Sequence, residues 1–196
     1  MAPSGQPDTT IVTRWFGDAF YQLHPLLQTL HSHGGVLHGR IAINHGRGAA
    51  GLIGRRLARR LGLPAGHSDC GFRVRITHTH DSLLWCRRFE TGAEMISRFI
   101  PYGHFPSGGW YESTGPLRLD LGVDTTGGDW LWRLRGARWH GLPIPLALLD
   151  TRAGKRIVDG GYVFEVEFRL PLLGLVLRYA GTLAAEPDAA ACQPLR

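Results

Sequence analysis

From Gly71 onward the chain alternates. Phe72, Val74 and Ile76 take turns with Arg73, Arg75 and Thr77, and Trp85, Arg87 and Phe89 share one side of the next segment. A period of two puts successive side chains on opposite faces of a strand, so each segment presents one apolar and one polar face. Met95 to Ile100, Trp110 to Ser113, Leu117 to Val123 and Trp130 to Arg135 are short segments of the same kind, separated by Gly, Asp and Ser. Tyr162, Phe164, Val166 and Phe168 alternate against Glu165, Glu167 and Arg169, and Leu175, Leu177 and Tyr179 share a face after the turn "LPLLG". This many short strands joined by tight turns predicts a meandering antiparallel sheet. A sheet this long curls on itself.

The first third has a different period. Val12, Trp15, Phe16, Ala19, Phe20 and Leu23 recur at i, i+3, i+4, i+7, one apolar helix face, with Asp8 or a following threonine as its cap. Pro25 interrupts that face and is placed to open a second helical piece carrying Leu26, Leu27 and Leu30; Gly34 and Gly35 stop it. "VLHGRIAIN" is a half-buried strand with Leu37, Ile41 and Ile43 inward. "GAAGLIGRRLARRLGLP" is an amphipathic helix with Leu52, Ile53, Leu57 and Leu61 toward the core and Arg55, Arg56, Arg59 and Arg60 outside. The expected fold is α+β: a strongly curved antiparallel sheet or barrel of about seven to ten strands, with two N-terminal helical segments packed on it. The globular domain is expected over 9–184, with a flexible N-terminus at 1–8 and a flexible tail at 185–196.

At 196 residues, 43% of them hydrophobic and 19% charged, the chain suits one domain with a sizeable core. No apolar run approaches the roughly 20 residues of a membrane helix, and the N-terminus lacks a basic region followed by an apolar stretch, which favours the cytoplasm. Three cysteines with no metal spacing argue against a disulfide framework. The net charge is +6, and Lys155 is the only lysine among 22 basic residues. Arginine suits phosphate and buried bidentate contacts alike. The basic helix bears no interleaved aromatics, which argues against RNA, and leaves contact with an acidic membrane surface open.

Three local patterns invite chemistry. His78, His80 and Asp81 resemble the start of the His-x-His-x-Asp-His metal motif of the metallo-β-lactamase superfamily. Ser82 and Leu83 stand where its aspartate and histidine belong, so a strand end and turn is the reading and no metal is expected. Gly46 to Gly51 is a literal GxGxxG with Asp69 downstream, yet no βαβ alternation follows. A glycine-rich turn is preferred to a dinucleotide site, and no cofactor is expected. Arg87, between Trp85 and Phe89 on an inward face, is the third. A buried guanidinium needs a carboxylate partner or an anionic ligand; Glu112, Asp120, Glu165 and Glu167 are the candidate partners. Ser107 lacks the context of a nucleophile elbow.

The segments "WFGDAFYQLHPLLQTLH", "HGRIAINHGRG", "RRLARRLGLP", "WCRRF", "STGPLRL", "LWRLRGARWHGLPIP" and "FRLPLLGLVLRYAGTL" resemble an uncharacterised bacterial domain family, over Trp15 to Leu183. Members of that family occur alone or fused behind saccharopine-dehydrogenase-like reductases, which implies a reductase partner and a role in small-molecule metabolism. Its polar pattern matches here at His31, Arg40, Arg87, Glu112, Arg133 and Arg178, and includes neither the "HTHD" cluster nor Gly51.

Three functions follow as expectations. The first is a binding protein for a hydrophobic or amphipathic small molecule such as a lipid, isoprenoid or polyketide intermediate, with Trp85, Arg87, Phe89, Tyr111, Trp132 and Tyr179 at the ligand. The second is a cofactor-free cyclase or isomerase on the same scaffold, with His31 or Glu112 carrying the proton and Arg87 holding negative charge. The third is an arginine-mediated membrane-surface or nucleic-acid module.

Overall fold

The computed structural model describes residues 10–64 and 69–186; the termini expected to be flexible lie largely outside those residues. Thr10 caps α1 (Ile11–Phe16), accepting from the Thr13 N–H at 3.3 Å. Gly17, at φ +56°, ends that helix after six residues, and Gly17–Gln22 continues as a 3-10 turn, so the expected single face is broken there. Pro25 opens α2 (Pro25–His33). Then come β1 (Gly35–His45), α3 (Gly48–Leu61) and β2 (Asp69–His78). β3 (Leu83–Phe89), β4 (Glu94–Tyr102), β5 (Gly109–Thr114), β6 (Leu117–Asp124) and β7 (Trp130–Trp139) follow as hairpins. β8 (Leu142–Ile144), β9 (Asp150–Val158), β10 (Gly161–Leu170) and β11 (Gly174–Glu186) complete the chain. β11 runs two residues beyond the boundary expected at 184.

All neighbouring strands pair antiparallel, in the order β6-β5-β4-β3-β2-β1-β11-β10-β9-β7-β8, and β6 also pairs with β7. That last pairing closes ten strands into a barrel and leaves β8 outside it. Closure removes the exposed edges that an open sheet would offer for aggregation. The inward positions are those the alternation assigns: Phe72, Val74, Ile76, Trp85, Phe89 and Tyr179 are all buried. β9 has no counterpart in the expected strand set. Its run "DTRAGKRIV" is half charged and interrupted by Gly154, and it is held as a strand by β10 along its whole length.

Because the strands alternate in direction, each connection belongs to one end of the barrel. α1, the 3-10 turn and α2 close one end: the Trp15 indole donates to the Tyr102 carbonyl at 3.0 Å, and Leu27, Leu30 and His31 point inward fully buried. α3 lies across the other. Its expected apolar face holds at its C-terminal half, where Leu61 is buried and Leu57 packs on the core, and fails at Leu52 and Ile53, which are exposed; there the helix buries Ala50, Gly51, Gly54 and Ala58 instead. Small residues let the helix backbone approach β11 closely. A β-carbon at Gly54 would lie 2.0 Å from the Val176 carbonyl oxygen. Gly62 ends α3 in the left-handed region, with its N–H directed back to the last carbonyls.

Candidate functional site in the barrel interior

Four polar side chains from adjacent strands meet inside the barrel. Arg87 on β3 donates through Nη1 to Ser97 Oγ on β4 at 2.7 Å. Ser97 shares a short hydrogen bond with Thr114 on β5, and the Thr114 hydroxyl donates to Glu112 Oε1 at 3.1 Å. The register Trp85↔Ser97 and Ser97↔Thr114 places these residues side by side, so ladder pairing alone brings them together.

Arg87 is 6% exposed, and among the described residues no carboxylate lies within salt-bridge distance of it. The four expected partners are engaged elsewhere. Asp120 accepts from the Tyr102 hydroxyl at 2.6 Å; Glu165 and Glu167 pair with Arg178, Glu165 also bordering the interior cavity and the groove; Glu112 is reached only through Thr114 and Ser97. What Arg87 does have is the Trp85 face, 5.2 Å from ring centroid to guanidinium carbon.

A second cation lies beside it. Lys155 on β9 is 3% exposed, and its Nζ sits 3.9, 4.3 and 5.2 Å from the ring centroids of Trp130, Trp85 and Trp132. Its hydrogen-bond partner is His31 Nε2 of α2, at 3.3 Å. Burial, and then the Arg87 guanidinium, hold the Lys155 pKa well below the ordinary lysine value, while Glu112 works in the other direction. Burial likewise lowers His31, with the Lys155 charge adding to it, so the imidazole is neutral at pH 7. Tyr179 is pushed up to about 12 by burial, against the opposing influence of Arg87.

Trp85, Arg87, Glu112, Trp132, Lys155 and Tyr179 are among the walls of an interior cavity of about 60 Å³, room for a few waters or one small polar group. An open groove of about 640 Å³ lies over it, between β7, β9 and the β8 excursion. Trp132, Leu134, Thr151, Ala153 and Gly154 belong to the walls of both. The shared wall has a structural origin. β7 and β9 pair through only three residue pairs, starting at Trp130↔Lys155, and then splay apart.

The interior therefore gathers five of the expected site residues: Trp85, Arg87, Glu112, Trp132 and Tyr179. His31 is buried next to Lys155 but is not a wall of the cavity. Phe89 is buried too, against Phe72 at 5.1 Å and away from the cavity. Tyr111 is a correction: it lies one residue out of phase, on the outer face, stacked on Tyr102 with Arg118 over it. Arg40, Arg133 and Arg178 also face outward, toward Asp69, Asp124 and Glu165 respectively. Lys155, Ser97 and Thr114 are additions. The signal for Lys155 was present: it is the only lysine, and it shares a parity with Thr151 and Ala153.

The other two patterns are occupied by structure. Asp81 accepts from Thr79 at 2.9 Å and from Arg98 at 2.8 Å, and Thr79 accepts the Ser82 N–H at 3.0 Å, which makes the "HTHDS" stretch a strand end and turn. His78 is partly buried, and burial lowers its pKa to about 4. Among the described residues no group of three or more His, Cys, Asp and Glu side chains is placed to hold a metal. In the GxGxxG stretch, a β-carbon at Gly46 would lie 1.9 Å from the Leu175 carbonyl oxygen, and one at Gly51 would lie 2.3 Å from that of Gly46. Gly46 thus lets the turn approach β11, and Gly51 lets α3 start close against the turn itself.

The fold and interior define a class: a closed antiparallel barrel with a polar cluster and a small cavity inside it. The chain belongs to the family described as "Domain of unknown function (DUF4166)", matched over residues 23–183. No curated protein matches the chain. No helix among the described residues is long and apolar enough to cross a membrane.

Proposed function

We propose that this protein binds an amphipathic small molecule with an acidic head group, the acid at Arg87 inside the barrel and the apolar part along the groove outside β7 and β9. One observation carries this reading: Arg87 is a buried guanidinium bordering a cavity, without a carboxylate within ion-pair range. Uncompensated buried charge costs several kcal/mol, and an anionic ligand group would remove that cost. The cavity is too small for a lipid, isoprenoid or polyketide chain, whereas the groove is of the size of ordinary ligand pockets, about 300–1,000 Å³. The division of polar cavity and larger groove suits such a molecule's two halves.

Arg87→Met tests it. A structural guanidinium removed from its network would cost stability. Here the substitution is expected to leave the unfolding free energy unchanged or raise it by up to about 2 kcal/mol, while affinity for dodecanoate falls about tenfold or more, the worth of a charge-assisted hydrogen bond. Urea unfolding and isothermal titration of the same two proteins read both quantities. Equal affinities would remove Arg87 from the site, and an absence of dodecanoate binding by the unchanged protein would sink the reading.

A second reading concerns where such a molecule is collected. The end of the barrel crossed by α3 carries exposed Leu142, Leu146, Leu148, Leu172 and Leu173, together with Arg55, Arg56, Arg59 and Arg60 exposed on that helix, which has no acidic residue. Apolar side chains beside a basic helix face suit the surface of an anionic bilayer. The protein is then expected to sediment with phosphatidylglycerol vesicles and not with phosphatidylcholine vesicles, and to be released by added salt. Binding that is indifferent to salt, or to replacement of the four arginines by glutamine, excludes it.

A further inference from the structure

We propose that Lys155 is a covalent site: its amine condenses with the carbonyl group of an oxo acid to form an imine, with His31 carrying the proton. The inference rests on the reading of the interior as a binding site for an acidic ligand, and adds the reacting atom. Its geometry is on three sides of one nitrogen. Trp130 and His31, neither of which borders the cavity, close the far side of Nζ. Trp85 and Trp132, which do border it, flank the amine on the cavity side, and Lys155 itself is a wall. Arg87 and Lys155 each contact the Trp85 ring and both border the same small cavity, which puts a carboxylate-binding group and the amine at the walls of one space.

The surroundings suit a nucleophilic amine. A lysine acts as nucleophile only when unprotonated, and desolvation or a neighbouring cation lowers its pKa to allow this. Both conditions hold at Lys155, in that order of size. No carboxylate among the described residues lies within ion-pair distance to hold the ammonium form. The opposing influence is the cation–π attraction of three indoles, worth about 2 kcal/mol or more for a desolvated cation. That attraction is the basis of the competing account, a purely structural ammonium.

The chemistry balances without an oxidant. The amine lone pair forms the C–N bond as the carbonyl π pair moves to oxygen. A water in the cavity relays one proton from the nitrogen to the oxygen, giving a carbinolamine. Hydroxide then leaves, and His31 Nε2, 3.3 Å from Nζ, takes the remaining N–H proton; hydroxide and proton together make the one water released with the imine.

The sole lysine makes the test direct. The full-length protein is treated with 2-oxooctanoate, or with octanal, and sodium cyanoborohydride, then read by intact mass and peptide mapping. The expected result is one secondary-amine adduct per chain, on the peptide containing Lys155, with the N-terminal α-amine as internal control. Labelling at Lys155 is expected to reach its plateau at a lower pH than labelling of an ordinary lysine, because burial and the Arg87 charge lower its pKa; a rise continuing to about pH 10, where ordinary lysine titrates, overturns the proposal. Arg87→Met is expected to reduce trapping by 2-oxooctanoate about tenfold more than trapping by octanal, since both reagents lose the guanidinium's influence on the amine and only the oxo acid also loses its charge-assisted hydrogen bond. Adducts confined to the α-amine overturn the covalent step. If 2-oxooctanoate still binds in that case, by titration calorimetry, the ligand site stands and only the covalent step fails; if it neither binds nor reacts, both fail. Lys155→Met is expected to abolish the internal adduct, and peptide mapping of the unchanged protein decides the matter should that variant not fold.

Discussion

Trp130→Ala is expected to lower the unfolding free energy by about 3–5 kcal/mol, the range for deleting a fully buried aromatic ring. Trp130 is fully buried at the start of β7, where the plugged end of the barrel meets the interior. Its ring stands 4.9 Å from that of Phe16, 4.6 Å from His31 and 5.3 Å from Trp132, and lies 3.9 Å from the Lys155 nitrogen. No single neighbour can fill the space, because the ring is shared between two helices, its own strand β7 and the buried amine on β9. Domains are stable by about 5–15 kcal/mol in total, so a large share of the margin is lost. The midpoint of urea unfolding reads it, with Leu172→Ala as a control at a 96% exposed position, where no change is expected. A loss below about 1.5 kcal/mol would mean that the aromatic cluster relaxes around the gap.

The second large effect is at Gly54. In an exposed helix, Gly→Ala stabilises by about 1 kcal/mol. Here the added carbon would sit 2.0 Å from the Val176 carbonyl oxygen and 2.9 Å from its carbon, both rigid strand backbone. Overpacking against backbone costs about 1–3 kcal/mol or more, so the clash outweighs the propensity gain. The expected result is a net loss of about 2 kcal/mol, or an α3 lifted from β11 and detected as faster amide exchange along that helix. Gly92 is the comparison: it lies in a turn with no atom within 4 Å of an added carbon, and only its φ of +83° opposes substitution. A Gly54→Ala protein as stable as the parent would show that α3 is not held by close backbone approach.

Much of the strand content was legible, and the reason is visible at β3. Alternation assigns a face to every residue of a strand, so Trp85, Arg87 and Phe89 could be placed inside from their spacing alone. The same rule holds for β2, β10 and β11. It gives no neighbour, and the Arg87 partner was misplaced for that reason: carboxylates on four strands were plausible, and the register put a serine beside it instead. Tyr111 was misplaced by one residue of phase, because Trp110, Tyr111 and Glu112 in succession do not declare which parity is inward. α3 misled for another reason. Its leucine and isoleucine suggested the core face, whereas the helix packs on a strand backbone, where glycine and alanine win by allowing closer approach. β9 went unseen because its outward residues are charged, its inward ones are small or basic, and its stability comes from pairing with β10.

The sequence by itself determined most of the segments that extend, β9 apart, where the helical stretches lie, and that a guanidinium would be carried inward between two aromatics, because these are consequences of local period and side-chain chemistry. Tertiary structure alone decided that β6 would meet β7 to close the barrel, that β7 and β9 would splay to leave a groove, and that His31 would lie 3.3 Å from a lysine 124 residues away. Periodicity fixes a face relative to a strand's own axis. Neighbours are set by ring closure, register and the helices that plug the end, which are properties of the whole chain.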